Sequence, residues 1–317
     1  MTAAAPHDLT IRPIAGPGEL DLFNRLPHRF NEEFAGDLED GRRLPGWMWL
    51  ALDGGRPVAR AAWWGRRRGD DPFLLDVLDL DDALDSPARV GIGERLLRTA
   101  AAAVLPAGTR PPPYSRLAPP DWRDRPEVRR GVEDRTAAAA RTGARMMVER
   151  LRLEWRPGTP VPPPTGRLSF RPAAGREELV GLMTRVLEGT LDAYSRDDLA
   201  RMTPEQAAAG HYDGEFAGFR SPREWWRVAE LPGGEPVGFV VAARNAYNPV
   251  IAYLGVLPEH RGRGWIDEVL AEGTRVLAAE GVPRIRAATD TTNTPMAAAF
   301  RRAGYTVSEH TLEMVWP

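Results

Sequence analysis

Cysteine is absent from the 317 residues, and so is lysine, since all 42 basic residues are arginine. Without cysteine there can be no disulfide, no thiol nucleophile and no thiolate metal site. Without lysine there is no catalytic amine. Net charge is also nearly missing: 42 basic residues face 44 acidic ones, which leaves −2 and no basic footprint for nucleic acid. No run of about 18 apolar residues occurs, and the start, Met1 to Thr10, lacks a basic end and an apolar core. These absences lead us to expect a soluble cytoplasmic chain with no membrane or nucleic-acid partner. His7, His28 and His310 show no ligand spacing, so no metal is expected.

What is present is a unit described twice. Thr10-Ile11-Arg12-Pro13 matches Ser169-Phe170-Arg171-Pro172, each a short strand followed by a helical pattern: Leu20, Phe23, Leu26 and Phe30 in the first half, Glu177 to Leu187 in the second. Gly54-Gly55-Arg56-Pro57-Val58 matches Gly233-Gly234-Glu235-Pro236-Val237, and Ala137 to Trp155 aligns without gaps to Ala298 to Trp316, pairing Gly143 with Gly304 and Trp155 with Trp316. Between the halves, prolines at 157, 160, 162, 163 and 164 make a stiff extended stretch. The expected domains are therefore 1–156 and 166–317, joined by a Pro-rich linker at 157–165.

The most informative stretch runs from Val250 to Ala279. A β-branched apolar run reads as a strand, Pro258 and the turn Arg261-Gly262-Arg263-Gly264 follow, and Ile266, Val269, Leu270, Val276 and Leu277 then recur at helical spacing. Glycines and arginines where a helix starts suit a phosphate, because unpaired N–H groups converge there with the positive end of the helix dipole. A plain surface turn with solvated arginines is the alternative on these residues alone.

Val256 to Gly264 resembles the acyl-CoA pyrophosphate loop of the GNAT superfamily of N-acetyltransferases, in which an Arg or Gln is followed by Gly three residues on and by Gly or Ala five residues on. Arg261 and Gly264 fit that pattern, and Ile266 departs from it. Thr289 to Met296, followed by Phe300 and Ala303-Gly304-Tyr305, is similar to the family's late strand-to-helix region. The resemblance implies an α/β fold of two tandem GNAT-like domains, each a mixed, mostly antiparallel sheet flanked by helices. It also implies acetyl-CoA as acyl donor, direct attack by an amine of a small molecule, and a working site in the second domain.

By the same resemblance Leu254, Gly255 and Val256 would pair with the pantetheine arm, and Arg261, Gly262, Arg263, Gly264, Trp265 and Ile266 would hold the pyrophosphate. Asn293 would bond the arm or simply cap a helix. Phe300 stands beside the cofactor where many members carry a Tyr that protonates the leaving thiolate. The acceptor side has candidates and no motif: the acidic segment Leu187 to Phe216, with Glu188, Asp192 and Tyr194 as expected catalytic groups, His211 after them, and a solvated helical face as the plain reading. His260 is expected to be structural.

The first half differs where it should bind phosphate. Asp79, Asp81, Asp82 and Asp85 stand there, and aligning Gly91 with Gly264 puts Ala88 in place of Arg261. A supporting domain is expected. A non-catalytic acyl-CoA binder or sensor and a protein N-acetyltransferase are the alternatives for the whole chain, as monomer or homodimer.

Overall fold

A computed structural model describes residues 9–245 and 247–317, so that His7 and Asp8 lie outside the described residues. The chain divides into two compact units, residues 1–148 with 311–317, and residues 149–310. Among the described residues no helix is long and apolar enough to cross a membrane.

In the first unit β1 (Leu9–Pro13), β2 (Met48–Asp53), β3 (Arg56–Trp64) and β4 (Leu74–Leu80) run antiparallel in that order, and β5 (Tyr114–Ala118) lies parallel to β4. Gly54 and Gly55, both with positive φ, close the β2–β3 hairpin, as a two-residue turn between right-twisted strands requires. The helices are α1 (Leu20–Phe23), α2 (Phe34–Glu39), α3 (Ser86–Val104) and α4 (Pro126–Arg141). The helical pattern expected to reach Phe30 stops at Phe23, because Pro27 follows within one turn.

A strand β6 (Arg145–Trp155) leads into the second unit. There β7 (Ser169–Pro172), β8 (Trp226–Glu230), β9 (Pro236–Arg244) and β10 (Pro249–Val256) again run antiparallel, with β11 (Ile285–Asp290) parallel to β10. The helices are α5 (Arg176–Val186), α6 (Ala193–Leu199), α7 (Pro204–Gly214), α8 (Trp265–Ala279) and α9 (Thr294–Arg302), and β12 (Thr306–Val315) ends the chain. The helical pattern expected from Glu177 to Leu187 is α5, one residue earlier at each end.

The division between units falls inside β6 and β12, and the proline stretch 157–165 belongs wholly to the second unit. Residues 150–155 of β6 pair with β11, so Trp155 packs in the second unit's core. The end of β12 lies beside β5, so Met314 and Trp316 pack in the first. Each repeat thus gives its last strand to the other unit's core.

Both central hairpins are buried on two faces. Trp49, Ala51, Ala59, Ala61 and Trp63 point to α3, while Met48, Leu50, Leu52 and Ala62 join Phe23 and Phe34. In the second unit Val240, Ala242, Ile251 and Val256 face α8, and Phe239, Val241 and Ala243 face α5 and α7. This period of two within continuous apolar runs is what a sheet covered on both sides demands. The same irregularity recurs as well: Asp76 bulges between Leu75 and Val77, and Ala252 between Ile251 and Tyr253.

Register makes the repeats comparable residue by residue. Ala59 opposite Leu80 corresponds to Gly238 opposite Val256, so Arg60, Asp76 and Asp79 stand where the second unit has Phe239, Ala252 and Gly255. Arg60 is fully buried: its Nε donates to Asp79 at 3.0 Å, and its two Nη atoms donate to the Phe23 carbonyl at 2.6 Å and Asn31 Oδ1 at 2.8 Å. Arg43, equally buried, forks onto Asp76 at 2.8 and 2.6 Å and reaches Asp37 at 3.0 Å. A closed ionic network fills that position.

The first unit's loop is corrected too. Asp85 caps α3 by accepting from the Ala88 N–H at 2.9 Å, with Pro87 in the first turn, so the helix starts at Ser86 and Gly91 and Gly93 lie inside it. Ala88 therefore does not correspond to Arg261. Arg60→Met alone would strand Asp79 in the core, with Arg116 no nearer than 3.8 Å and Arg135 4.0 Å away. It should cost about 3–5 kcal/mol, measured as a lowered urea midpoint, and adding Asp79→Leu should recover most of that loss.

Candidate active site

Parallel β10 and β11 pair only where Val250 meets Arg286. Beyond that bridge β10 continues to Val256 and β11 to Asp290 without further pairing, so the strands part and the β10 edge at Leu254, Gly255 and Val256 faces an opening. Leu254 is half-buried and also packs toward α8, while Gly255 and Val256 are buried. Gly255 is required by the other side of the strand, because a Cβ there would lie 2.5 Å from Val186 Cγ1 at the end of α5.

The opening leads to the start of α8. Gly264 is its N-cap, with φ +78° and no side-chain cap, and Gly262 has φ +74°; a Cβ on either would meet nothing within 4 Å. Among the described residues the N–H groups of Gly262, Arg263, Gly264, Trp265 and Ile266 meet no acceptor. That is five consecutive donors at the positive end of a 15-residue helix. Arg263 is exposed and makes no ion pair. Asp267 and Glu268 in the first turn are engaged by Arg302 and Arg167, so they do not stand as free charges against an anion. The Arg167 guanidinium also lies 4.7 Å from the centre of the Trp265 ring, and Ile266 packs into the core behind the loop.

Arg261 does something other than point at the opening. Its Nε donates to the Val256 carbonyl at 3.1 Å, Nη1 to the Glu188 carbonyl at 2.6 Å and Nη2 to the Val186 carbonyl at 2.8 Å. The side chain staples the end of α5 to the end of β10. Asn293 caps α9 by accepting from the Met296 N–H at 3.3 Å. Phe300 is 1% exposed and packs edge-to-face on Tyr305, whose hydroxyl meets Thr274 Oγ1 at 2.9 Å. Its ring belongs to the core and supplies no proton donor to the opening.

On the other side lies the segment after α5. Asp192 N-caps α6, with Oδ1 accepting from the Ser195 N–H at 2.8 Å and from its hydroxyl at 2.9 Å, and Oδ2 3.7 Å from Arg150. Arg150 is held in turn by Asp290, whose Oδ1 is 3.2 Å from its Nε and whose Oδ2 accepts from the Ala193 N–H at 2.7 Å. Burial pushes the Asp290 carboxyl above the usual range, and the neighbouring Asp192 charge adds to that. Tyr253 is displaced upward for the same reasons, burial first and Asp192 second. It stacks on Phe239 at 5.6 Å and helps line a small cleft with Met183, Leu187, Ser195, Asp198 and His211.

Of the expected catalytic groups, the structure orients Asp192 most firmly. The Glu188 side chain is exposed, and Tyr194 lies half-buried in the first turn of α6. His211 packs edge-to-face on Tyr253 with its Nε2 3.3 Å from Glu215, and His260 is buried 3.2 Å from Glu235. Arg150, Ser195, Tyr253 and Asp290 escaped sequence reasoning. Tyr253 was concealed by the bulge that sets its face, and Arg150 lies in the other repeat's strand.

Residues 187–305 match the sequence profile of the acetyltransferase (GNAT) family. The fold is similar to that of a GCN5-related N-acetyltransferase from Sphaerobacter thermophilus, at 18% identity and a TM-score of 0.60, over 98% of this chain and 96% of that one. A fungal multi-domain GH3 β-N-acetylglucosaminidase with a glucosamine N-acetyltransferase region is similar at 14% identity and a TM-score of 0.55, over 99% of this chain and 39% of that one. A tandem GNAT protein from the clavulanic acid biosynthesis pathway gives 17% identity and a TM-score of 0.49, over 97% and 98%.

The contact between Gly255 and Val186 gives a direct check of the cleft's construction. Gly255→Ala should destabilise by about 1–3 kcal/mol through overpacking, seen as a lower melting temperature. Gly255→Ala with Val186→Ala should regain part of that loss.

Proposed function

We propose, from the match of residues 187–305 to the acetyltransferase (GNAT) family, that the second unit transfers an acetyl group from acetyl-CoA to an amine of a small molecule. The observation that carries this reading is the run of five unpaired N–H groups from Gly262 to Ile266 at the uncapped start of α8. These donors, with the exposed Arg263, fit a diphosphate. The free edge of β10 at Leu254 to Val256 fits an amide-bearing arm laid alongside it, and the Asn293 side-chain amide stands at the start of α9.

Acetyl-CoA, when bound, supplies a thioester whose carbonyl carbon accepts the amine. Asp192 is the residue we assign to take the amine's proton: Ser195 and Arg150 fix its two oxygens, and its side chain remains 32% exposed. Its charge, with Asp197, Asp198 and Glu188 nearby in sequence, favours a cationic acceptor drawn from solution. The thiolate leaves without a protein acid at Phe300, which a thiol with a pKa of about 8.5 tolerates. The first unit is assigned a supporting role, because Asp85 occupies the α3 amides and Arg60 and Asp79 close the equivalent of the cleft.

The buried Phe300 also supports a second reading, an acyl-CoA binder without turnover. Calorimetric titration of acetyl-CoA should show one site per chain, weakened severalfold by Arg263→Ala and abolished by Gly264→Asp, which strains the left-handed position and sets a carboxylate before the amides. Thiol release with a panel of primary amines should then fall about 10²- to 10⁴-fold in Asp192→Asn at unchanged acetyl-CoA affinity. Binding without release in any case would favour the second reading, and no binding would overturn both.

A further inference from the structure

Arg261 joins three pieces of the second unit through one guanidinium. Its backbone belongs to the loop offered to an anion, its Nε holds the last residue of β10, and its two Nη atoms hold the Val186 and Glu188 carbonyls. The Val186 carbonyl is one of those that α5 leaves unpaired at its end, where a cation is favoured, and Glu188 lies just past the C-cap Leu187. The segment they open, Leu187 to Asp192, ends in the carboxylate fixed by Ser195 and Arg150.

Each side of the staple is a pivot. Gly262 follows Arg261 with φ +74°, and Gly189 follows Glu188 with φ +63°, so both segments turn at residues that tolerate reorientation. From Glu188 to Thr190 the acceptor-side segment has only local backbone bonds of its own, Glu188 N–H to Arg185 O at 3.2 Å and Thr190 N–H to Leu187 O at 3.1 Å, while its far end is tied by Arg196 to the Leu191 carbonyl at 2.9 Å and by Arg150 to Asp192 at 3.7 Å. One further tie spans the gap, the Arg185–Glu259 ion pair, but both its side chains are 47% exposed and such pairs hold little. Arg261 is therefore the principal polar connection from the anion loop to the acceptor side.

We infer that Arg261 is a positioning residue: anion binding at Gly262 to Ile266 fixes the loop, and the guanidinium passes that order to residues 187–192, setting Asp192 in place. This rests on the reading of the loop as the acyl-CoA site. The coupling is reciprocal, so an ordered acceptor segment also favours the anion. The cofactor loop thereby helps build the acceptor cleft only when it is occupied.

Hydrogen exchange read by mass spectrometry on the full chain, with and without saturating CoA, tests this without an acceptor. In the wild type CoA should slow exchange of peptides covering 187–193 by about five- to a hundredfold. Arg261→Gln should still bind CoA through the backbone donors yet lose that slowing, whereas Glu259→Gln should keep it. Arg261→Lys, which keeps the charge but cannot fork to three carbonyls, is the second variant should Arg261→Gln not fold, and it should lose most of the slowing.

A purely structural side chain would speed exchange equally in both states and leave the CoA-dependent difference intact, which would overturn the inference. Loss of CoA binding in folded Arg261→Gln and Arg261→Lys would make the guanidinium a direct ligand and overturn it as well. Wild-type binding without slowing at 187–193 would defeat only the coupling. No wild-type binding at all would defeat the acyl-CoA reading on which it rests.

Discussion

The second unit depends on a ladder that stops. Parallel β10 and β11 share one bridge at Val250 and Arg286, and the placement of the candidate site follows from the end of pairing beyond it. A buried sheet edge with unsatisfied N–H and C=O groups is costly unless something pairs with it, and in the proposed function an amide-bearing arm takes that place. The bulge at Ala252 contributes by altering twist and by aiming Tyr253 at the face that carries α5 and α7. Close packing of α5 on Gly255 then brings the acceptor segment up against the same strand.

The first unit shows what happens when that opening is filled from within. It keeps the bulge, at Asp76, and a single parallel bridge, Leu75 to Tyr114. Its strands carry Arg60, Asp76 and Asp79 where the second unit has Phe239, Ala252 and Gly255. Two buried guanidiniums, each with all three nitrogens hydrogen-bonded, replace an apolar floor and a close helix approach. A buried ion pair adds little net stability compared with apolar packing but is expensive to break, so such a network fixes a unique arrangement at that register. One fold plan therefore carries a closely packed apolar strand pair in one repeat and a buried ionic network at the same register in the other.

The swap of last strands bears on how the repeats hold together. Trp155 closes the second unit's core and Trp316 the first's, where its Nε1 donates to Thr142 at 3.1 Å. Neither repeat contains within its own continuous sequence all the apolar surface that its core needs.

Much of this was legible in residue order. The hairpin glycines, the periods of two and 3.6, the Arg261 to Gly264 turn and the alignment of Trp155 with Trp316 are local signals, because backbone preference and amphipathic spacing act over a few residues. They pointed to two α/β repeats and to a phosphate-like Arg-Gly turn in the second. What the tertiary structure decided was which side chains meet: that Arg261 turns its guanidinium to carbonyls 73 and 75 residues earlier, that Arg150 and Asp290 flank Asp192, that Phe300 faces the core, and that the last strands change places. Those outcomes hang on strand register and on one bulged residue, and a shift of one position reverses the face of every side chain that follows. No local pattern carries that information.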